Sequence, residues 1–240
     1  MALPYFFVDS LNDEMDEIKL DENTSRHIVQ VLRMQETEKV KITDGKGNSA
    51  ECIITAAHKK QTTIQVTGFD KSPPAFNRFT IAISLIKNMS RFEWFLEKAT
   101  ELGAAEIIPL LCERTERQKF RHDRMLGICK SAMLQSMQTW LPVLSEPAHF
   151  NEVVSYAMHQ QKMIAHCLKN DKSLFSSEYN PSLESIIILI GPEGDFSEKE
   201  IVKAMEYRFV SVSLGSMRLR TETAGIFAAA WAYGAKMVNE

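Results

Sequence analysis

Two apolar runs near the C-terminus, each ending in a glycine turn and a helix start, constrain this chain more than any other feature. The first is Leu189-Ile190-Gly191-Pro192-Glu193-Gly194-Asp195-Phe196-Ser197. The second is Leu214-Gly215-Ser216-Met217-Arg218-Leu219-Arg220-Thr221-Glu222-Thr223-Ala224. Glycine lets a backbone turn sharply and lets a ligand approach its amides closely. Free N–H groups at a helix start face such a ligand. Two such turns, about twenty residues apart, predict two walls of one small-molecule pocket. Any α/β protein has strand-to-helix turns with glycine, so the glycines alone decide little. Arg218, Arg220, Glu222 and two threonines add weight. So many polar groups between an apolar strand and an alanine-rich helix need a reason beyond packing.

The chain around these turns alternates strands with helices. Phe79 to Ile86, Glu106 to Leu110, Lys162 to Leu168, Ser185 to Ile190 and Phe209 to Leu214 read as strands. Between them, Ser90-x-x-Glu93 reads as a capping box opening a helix to Leu102, with Gly103 as its stop. Arg121 to Met137 reads as a long helix, Ser197-x-x-Glu200 as a second capping box, and Thr221 to Met237 as the last helix. This alternation predicts a mostly parallel sheet covered by helices on both faces. Ligands in such sheets sit beyond the C-terminal ends of the strands, where both glycine turns fall.

The first 70 residues or so differ. Val40 to Thr43, Glu51 to Thr55 and Thr62 to Thr67 read as short strands, with a strong turn signal at Asp44-Gly45-Lys46-Gly47-Asn48. A helix from Ser25 to Leu32 interrupts them, with Ile28, Val31 and Leu32 on one face. Short strands with tight turns suggest a small barrel. Lys71-Ser72-Pro73-Pro74-Ala75 then marks a linker, which places one domain over residues 1–72 and another over 73–240.

Composition narrows the chemistry. A chain of 240 residues that is 45% hydrophobic can bury a real core. Its net charge of −3 excludes a generally basic coat, so any nucleic-acid contact must come from local patches. Cys52, Cys112, Cys129 and Cys167 are far apart and form no Cys-x-x-Cys pair. They read as scattered buried thiols in a reducing cytosol, and no metal is expected. The N-terminus lacks a basic leader pattern, and the longest apolar runs fall far short of a membrane span, so a cytoplasmic protein is expected.

Five segments, in order along the chain, resemble the RsmE-type ribosomal RNA methyltransferases of the SPOUT superfamily. They are His27 to Arg33, Phe92 to Gly103, Glu106 to Leu110, Gly191 to Ser197 and Leu214 to Ala224; Leu219-Arg220-Thr221-Glu222-Thr223-Ala224 is the most specific. The resemblance implies an α/β protein: an N-terminal PUA-like, RNA-binding β-barrel followed by a SPOUT domain with a C-terminal trefoil knot. It implies S-adenosylmethionine (S-adenosyl-L-methionine) as cofactor and a homodimer as the active unit. Its reaction would be methylation at N3 of a uridine in 16S ribosomal RNA, free or in the assembled 30S subunit. Three departures are visible. This chain has Gly194-Asp195 where the family often has two glycines, Tyr5 where an arginine is frequent, and no Glu before or Arg after Gln135-Ser136.

Roles for single residues follow from the resemblance. Arg220 would stabilise negative charge on the uridine carbonyls, with Glu222 or else Glu193 accepting the N3 proton. Arg220 could instead be a structural partner of Glu222. Ile190, Gly191, Glu193 and Gly194 would meet the ribose and methionine side of the cofactor. Leu214, Gly215, Met217 and Leu219 would clasp the adenine, Thr223 would supply a hydroxyl, and His166 would border the adenosine. Arg114, Arg117, Lys119 and Arg121 form one candidate RNA patch, and Arg26, Arg33, Lys41 and Lys46 another. A SPOUT enzyme acting at another RNA position and a non-catalytic RNA-binding protein are the competing readings.

Overall fold

A computed structural model gives the structure of the chain and describes residues 3–75, 78–116, 119–168 and 172–237. Two compact units divide it: Met1–Pro74 with Met133–Leu141, and Ala75–Ala132 with Pro142–Glu240.

The first unit contains β1 (Tyr5–Phe7), β2 (Glu17–Lys19), α1 (Glu22–Arg26), β3 (Lys39–Thr43), β4 (Asn48–Ala56) and β5 (Thr63–Lys71). They form one sheet of order β1-β3-β4-β5-β2, parallel between β1 and β3 and antiparallel elsewhere. Alternate residues Val40, Ile42, Ala50, Cys52, Ile54 and Ile64 point inward and are buried in a single core. The turn predicted between β3 and β4 is present. Asp44 accepts bonds from the Lys46 amide at 2.8 Å and the Asn48 side chain at 2.8 Å.

The expected helix at Ser25–Leu32 takes a different form. α1 begins earlier, capped by Asp21, whose carboxylate accepts from the amides of Asn23 and Thr24. It then widens into a π turn over His27–Val31. The wider turn carries Val31 and Leu32 away from the Ile28 face. Ile28 is fully buried, whereas Val31 is 64% exposed.

The second unit contains β6 (Arg78–Ser84), α2 (Met89–Glu101), β7 (Glu106–Leu111), α3 (His122–Gln135), β8 (Val143–Leu144), β9 (Ala148–His149), α4 (Phe150–Tyr156), β10 (Gln161–Ala165), β11 (Ser173–Leu174), α5 (Phe175–Glu178), β12 (Ser185–Ile190), α6 (Glu198–Glu206), β13 (Val210–Ser213) and α7 (Thr221–Met237). The last residues of α3 fall in the first unit. The strands form one sheet of order β11-β13-β10-β12-β6-β7-β8, with β9 also on β7, and every ladder is parallel. A central parallel strand is covered on both faces and so reads as a continuous apolar run. Ile186 to Ile190 on β12 are all buried. Full burial of each such side chain contributes about 1.5–3 kcal/mol.

Helix starts explain the rest. The Ser197 capping box is present: its hydroxyl accepts from the Glu200 amide, and Glu200 accepts from the Ser197 amide at 2.8 Å. The box expected at Ser90 is not. Asn88 caps α2 by accepting from the Ser90 amide at 3.0 Å, and Glu93 instead pairs with Arg124 at 2.7 Å. Three of the free cysteines are buried as expected, but Cys167 is exposed, because it follows the end of β10 at the edge of the sheet. Among the described residues no helix is long and apolar enough to cross a membrane, and no group of acidic, histidine and cysteine side chains is placed to hold a metal.

Candidate functional site

Because the strands run parallel, their C-terminal ends share one edge. β10, β12 and β13 are neighbours there and end at Ala165, Ile190 and Ser213. A cavity of about 670 Å³ opens at this edge. That lies within the roughly 300–1,000 Å³ usual for small-molecule sites. Of the sequence-expected residues, Ile190, Gly191, Glu193, Leu214, Gly215, Met217, Leu219 and Arg220 line it, as does His166.

The first wall is braced. Gly191 packs so closely on Phe196 that an added Cβ would lie 3.1 Å from both its amide and its ring. Phe196 is itself locked in the core and meets Phe150 at 5.3 Å between ring centroids. Asp195 takes the left-handed conformation (φ 64°) and accepts from the amides of Phe196 at 2.9 Å and Cys167 at 2.8 Å. Aspartate tolerates that conformation better than most residues, so the turn keeps its shape without a second glycine. Arg114 Nη1 donates to the Gly194 carbonyl at 2.7 Å from outside. Gly194 itself is exposed and lies off the lining.

The second wall is open. Gly215 has φ 126° with no neighbour within 4 Å of an added Cβ, and Met217 is 78% exposed. The two walls meet through one buried bond, in which Thr221 Oγ1 donates to the Gly191 carbonyl at 2.9 Å. Thr221 also opens α7, so the helix start is tied to the opposite turn.

Charge is distributed unevenly around the cavity. Arg218, Arg220 and Lys172 line it together with Glu193 and Asp195. Lys172 Nζ donates to the His166 carbonyl at 2.7 Å. His166 is 6% exposed, and neither ring nitrogen has a hydrogen-bond partner. Burial, with Lys172 adding to it and Asp195 opposing, lowers its pKa below the ordinary histidine value. Both nitrogens are closed off from solvent as well as unpartnered, so this ring is one of the few buried polar groups that the chain leaves unsatisfied among the described residues. Glu193 Oε1 accepts from the Lys87 amide at 3.2 Å.

Glu222 lies elsewhere. It is 5% exposed, off the cavity lining, and faces Arg91 at 3.7 Å. Thr223 is exposed and also off the lining. In the charged loop, Arg114 is taken up by Gly194, Arg121 and Lys119 are exposed, and Arg117 lies outside the described residues. Arg26 pairs with Glu22 at 2.5 Å, Arg33 is exposed with φ 56°, Lys41 pairs with Glu51 at 3.6 Å, and Lys46 is exposed.

Cys167, Lys172, Asp195 and Thr221 were not singled out from sequence as site residues. Asp195 and Thr221 sit inside the two turns, so their position was a signal. Cys167 and Lys172 reach the cavity from the loop after β10, and only the strand order places them there.

The chain is similar to known proteins over most of its length. Residues 73–233 match the family described as RNA methyltransferase domain, and residues 20–67 match the RNA methyltransferase PUA domain. Ribosomal RNA small subunit methyltransferase E of Bacillus subtilis (strain 168) is 27% identical, over 93% of each chain. A crystal structure of a probable rRNA-methyltransferase from Porphyromonas gingivalis is 32% identical, covers 99% of this chain and 100% of its own, and superposes with a TM-score of 0.90. The ribosomal RNA small subunit methyltransferase E from Neisseria gonorrhoeae, solved bound to S-adenosyl methionine, is 26% identical with a TM-score of 0.85 over 95% of this chain and 96% of its own. Matched over most of its length, the chain belongs to the RNA methyltransferase family, with an RNA methyltransferase PUA domain preceding the RNA methyltransferase domain.

Proposed function

We propose that this protein transfers a methyl group from S-adenosylmethionine to N3 of one uridine in the 16S RNA of the small ribosomal subunit. The observation that carries the reading is the cavity between the two glycine turns, with Arg220 on its wall. The residues present fit the cofactor: a closely packed glycine, an unpartnered buried imidazole and a mixed charged lining suit a molecule with sugar, base and zwitterionic parts. Ile190, Gly191 and Glu193 would hold its ribose and methionine side, and Leu214, Gly215, Met217 and Leu219 its adenine.

When bound, S-adenosylmethionine supplies a methyl group made electrophilic by its sulfonium. The chain's own task lies at the nucleophile. Uridine N3 carries a proton, and its loss spreads negative charge onto the neighbouring carbonyl oxygens. The Arg220 guanidinium offers fixed charge and planar, forked donors to those oxygens. Glu193 is the better-placed proton acceptor, since it lines the cavity while Glu222 faces Arg91.

Residues 1–72 form the RNA-holding domain in this reading, and 73–240 the methyltransferase domain, closed by a trefoil knot. Arg26, Arg33, Arg114 and Arg121 contact phosphates, which position RNA without reading its sequence. The protein works in the cytoplasm as a homodimer. Support for the dimer comes from α7, which buries Ala224, Ala228 and Ala232 but leaves Phe227, Trp231 and Tyr233 at least 38% exposed, with Phe227 stacked on Trp231. Sedimentation should give a dimer at low micromolar concentration, and a monomeric mass would contradict it.

Mass spectrometry of ribosomal RNA from cells lacking this protein tests the reaction. One methylated uridine of the small-subunit RNA should disappear. An unchanged set of methylated uridines would end this reading.

A further inference from the structure

Four thiols are present, and their surroundings differ sharply. Cys52 and Cys129 are fully buried and Cys112 is 9% exposed. Cys167 alone is exposed, and it lines the cavity. Its amide is fixed by the Asp195 carboxylate at 2.8 Å, so the residue stays on the braced wall. The adjacent His166 lines the same cavity, is 6% exposed and has no partner on either ring nitrogen. Lys172 holds the carbonyl between them. Cys167 therefore shares the cavity wall with that unpartnered ring.

We infer that Cys167 is a covalent modification site within the cofactor cavity, open to soft electrophiles of the α,β-unsaturated carbonyl class, and that its alkylation and cofactor occupancy exclude each other. The inference rests on the reading of the cavity as the S-adenosylmethionine site. In the reaction the sulfur of the thiolate adds to the activated double bond. A carbon–sulfur bond forms, the carbon–carbon π bond breaks, and the resulting carbanion takes a proton from water in place of the one the thiol released. No other reagent is consumed. The thiolate is the reactive form. Burial pushes the Cys52 and Cys112 thiols up to about 12 and raises Cys129 as well, so these three are kept both covered and protonated.

The test uses the whole protein, N-ethylmaleimide as the probe, and S-adenosylmethionine as protectant. Peptide mass mapping should find the first equivalent of label on Cys167. Cofactor at a hundred times its dissociation constant leaves about one site in a hundred empty, so labelling should slow by about a hundredfold. Fully labelled protein should lose cofactor binding in calorimetry. Cys167→Ser, treated in the same way, should keep whatever affinity it had before treatment. First labelling at Cys52, Cys112 or Cys129 would overturn the inference. So would equal labelling rates with and without a cofactor that calorimetry shows to bind. Failure of the cofactor to bind untreated protein would instead sink the reading of the cavity itself.

Discussion

Strand β10 has a histidine at each end, and the two are held differently. His159 precedes the strand, and its Nε2 lies 3.0 Å from Thr80 Oγ1. Thr80 in turn donates to Glu106 at 3.2 Å, whose other oxygen accepts from Ser145 at 3.4 Å. His166 follows the strand, and both its ring nitrogens are without partners, whereas His159 leaves only one so. Because the strands run parallel, the two histidines stand at opposite edges of one sheet. Its N-terminal edge binds up polar groups among its own side chains. Its C-terminal edge does the same for Ser84, which meets Thr115 at 2.8 Å, and for Thr221, but leaves the His166 ring unpartnered. An unmade buried hydrogen bond costs about 1–3 kcal/mol, and two of the three nitrogens left so among the described residues belong to His166 on the cavity wall.

If this division is right, changes at the C-terminal edge act on binding and turnover, and changes at the N-terminal edge act on stability alone. Gly191→Val should have the largest effect. Its side chain must displace Phe196, which is part of the core, so S-adenosylmethionine binding should fall below detection in calorimetry. Wild-type affinity in that variant would remove the braced wall from the site. Arg220→Ala comes next. It should bind cofactor within a few-fold of wild type, while its single-turnover rate falls by roughly a hundredfold, the scale of losing one charge-stabilising donor. Arg220→Lys should recover only part of that rate, because a point charge does not reproduce the fork. A normal rate in a folded Arg220→Ala protein would end the assignment.

Gly215→Ala sharpens the comparison of the two walls. No atom would meet the new methyl group, so only the strain of an alanine at this positive φ remains, on the order of 1 kcal/mol. Cofactor affinity should fall about fivefold by calorimetry, far less than for Gly191→Val. A loss as large as that of Gly191→Val would mean that the open wall is as closely fitted as the braced one.

Much of this edge was legible in the sequence because its signals are local. A strand, a glycine turn and a capping box occupy consecutive residues, so Ser185–Ile190 and the Ser197 start of α6 could be read directly. What stayed hidden depends on partners far along the chain. Glu93 looked like half of a capping box until Arg124, 31 residues on, took it. Glu222 looked like a site carboxylate, but burial and Arg91 hold it off the lining. The bond from Thr221 to the Gly191 carbonyl spans 30 residues and leaves no trace in either turn alone. The π turn at His27–Val31 escaped for another reason: helical periodicity in the sequence does not distinguish it from an α-helix.

The smallest predicted effect lies at the N-terminal edge and needs no ligand to measure. Burial, with help from Arg78 and Lys162, lowers the pKa of His159 to about 4 from an ordinary value of 6.5. Above pH 6.5 the ring is neutral in the folded and unfolded chain alike, and its buried contact with Thr80 contributes fully. As pH falls below 6.5 the unfolded chain gains a proton there that the folded protein still refuses. Stability therefore drops between pH 6.5 and about 4, and flattens below. His159→Gln cannot titrate and can still donate to Thr80 from its amide. Thermal melts of this variant at pH 7 and pH 4.5 should differ by a few degrees less than those of the wild type. Some slope should remain, since burial lowers the pKa of His166 in the same direction. Its cofactor affinity at pH 7 should match wild type within error, because His159 stands at the far end of β10 from the cavity. A fall in affinity at pH 7 with an unchanged melting temperature would show that the two edges are not separate in function.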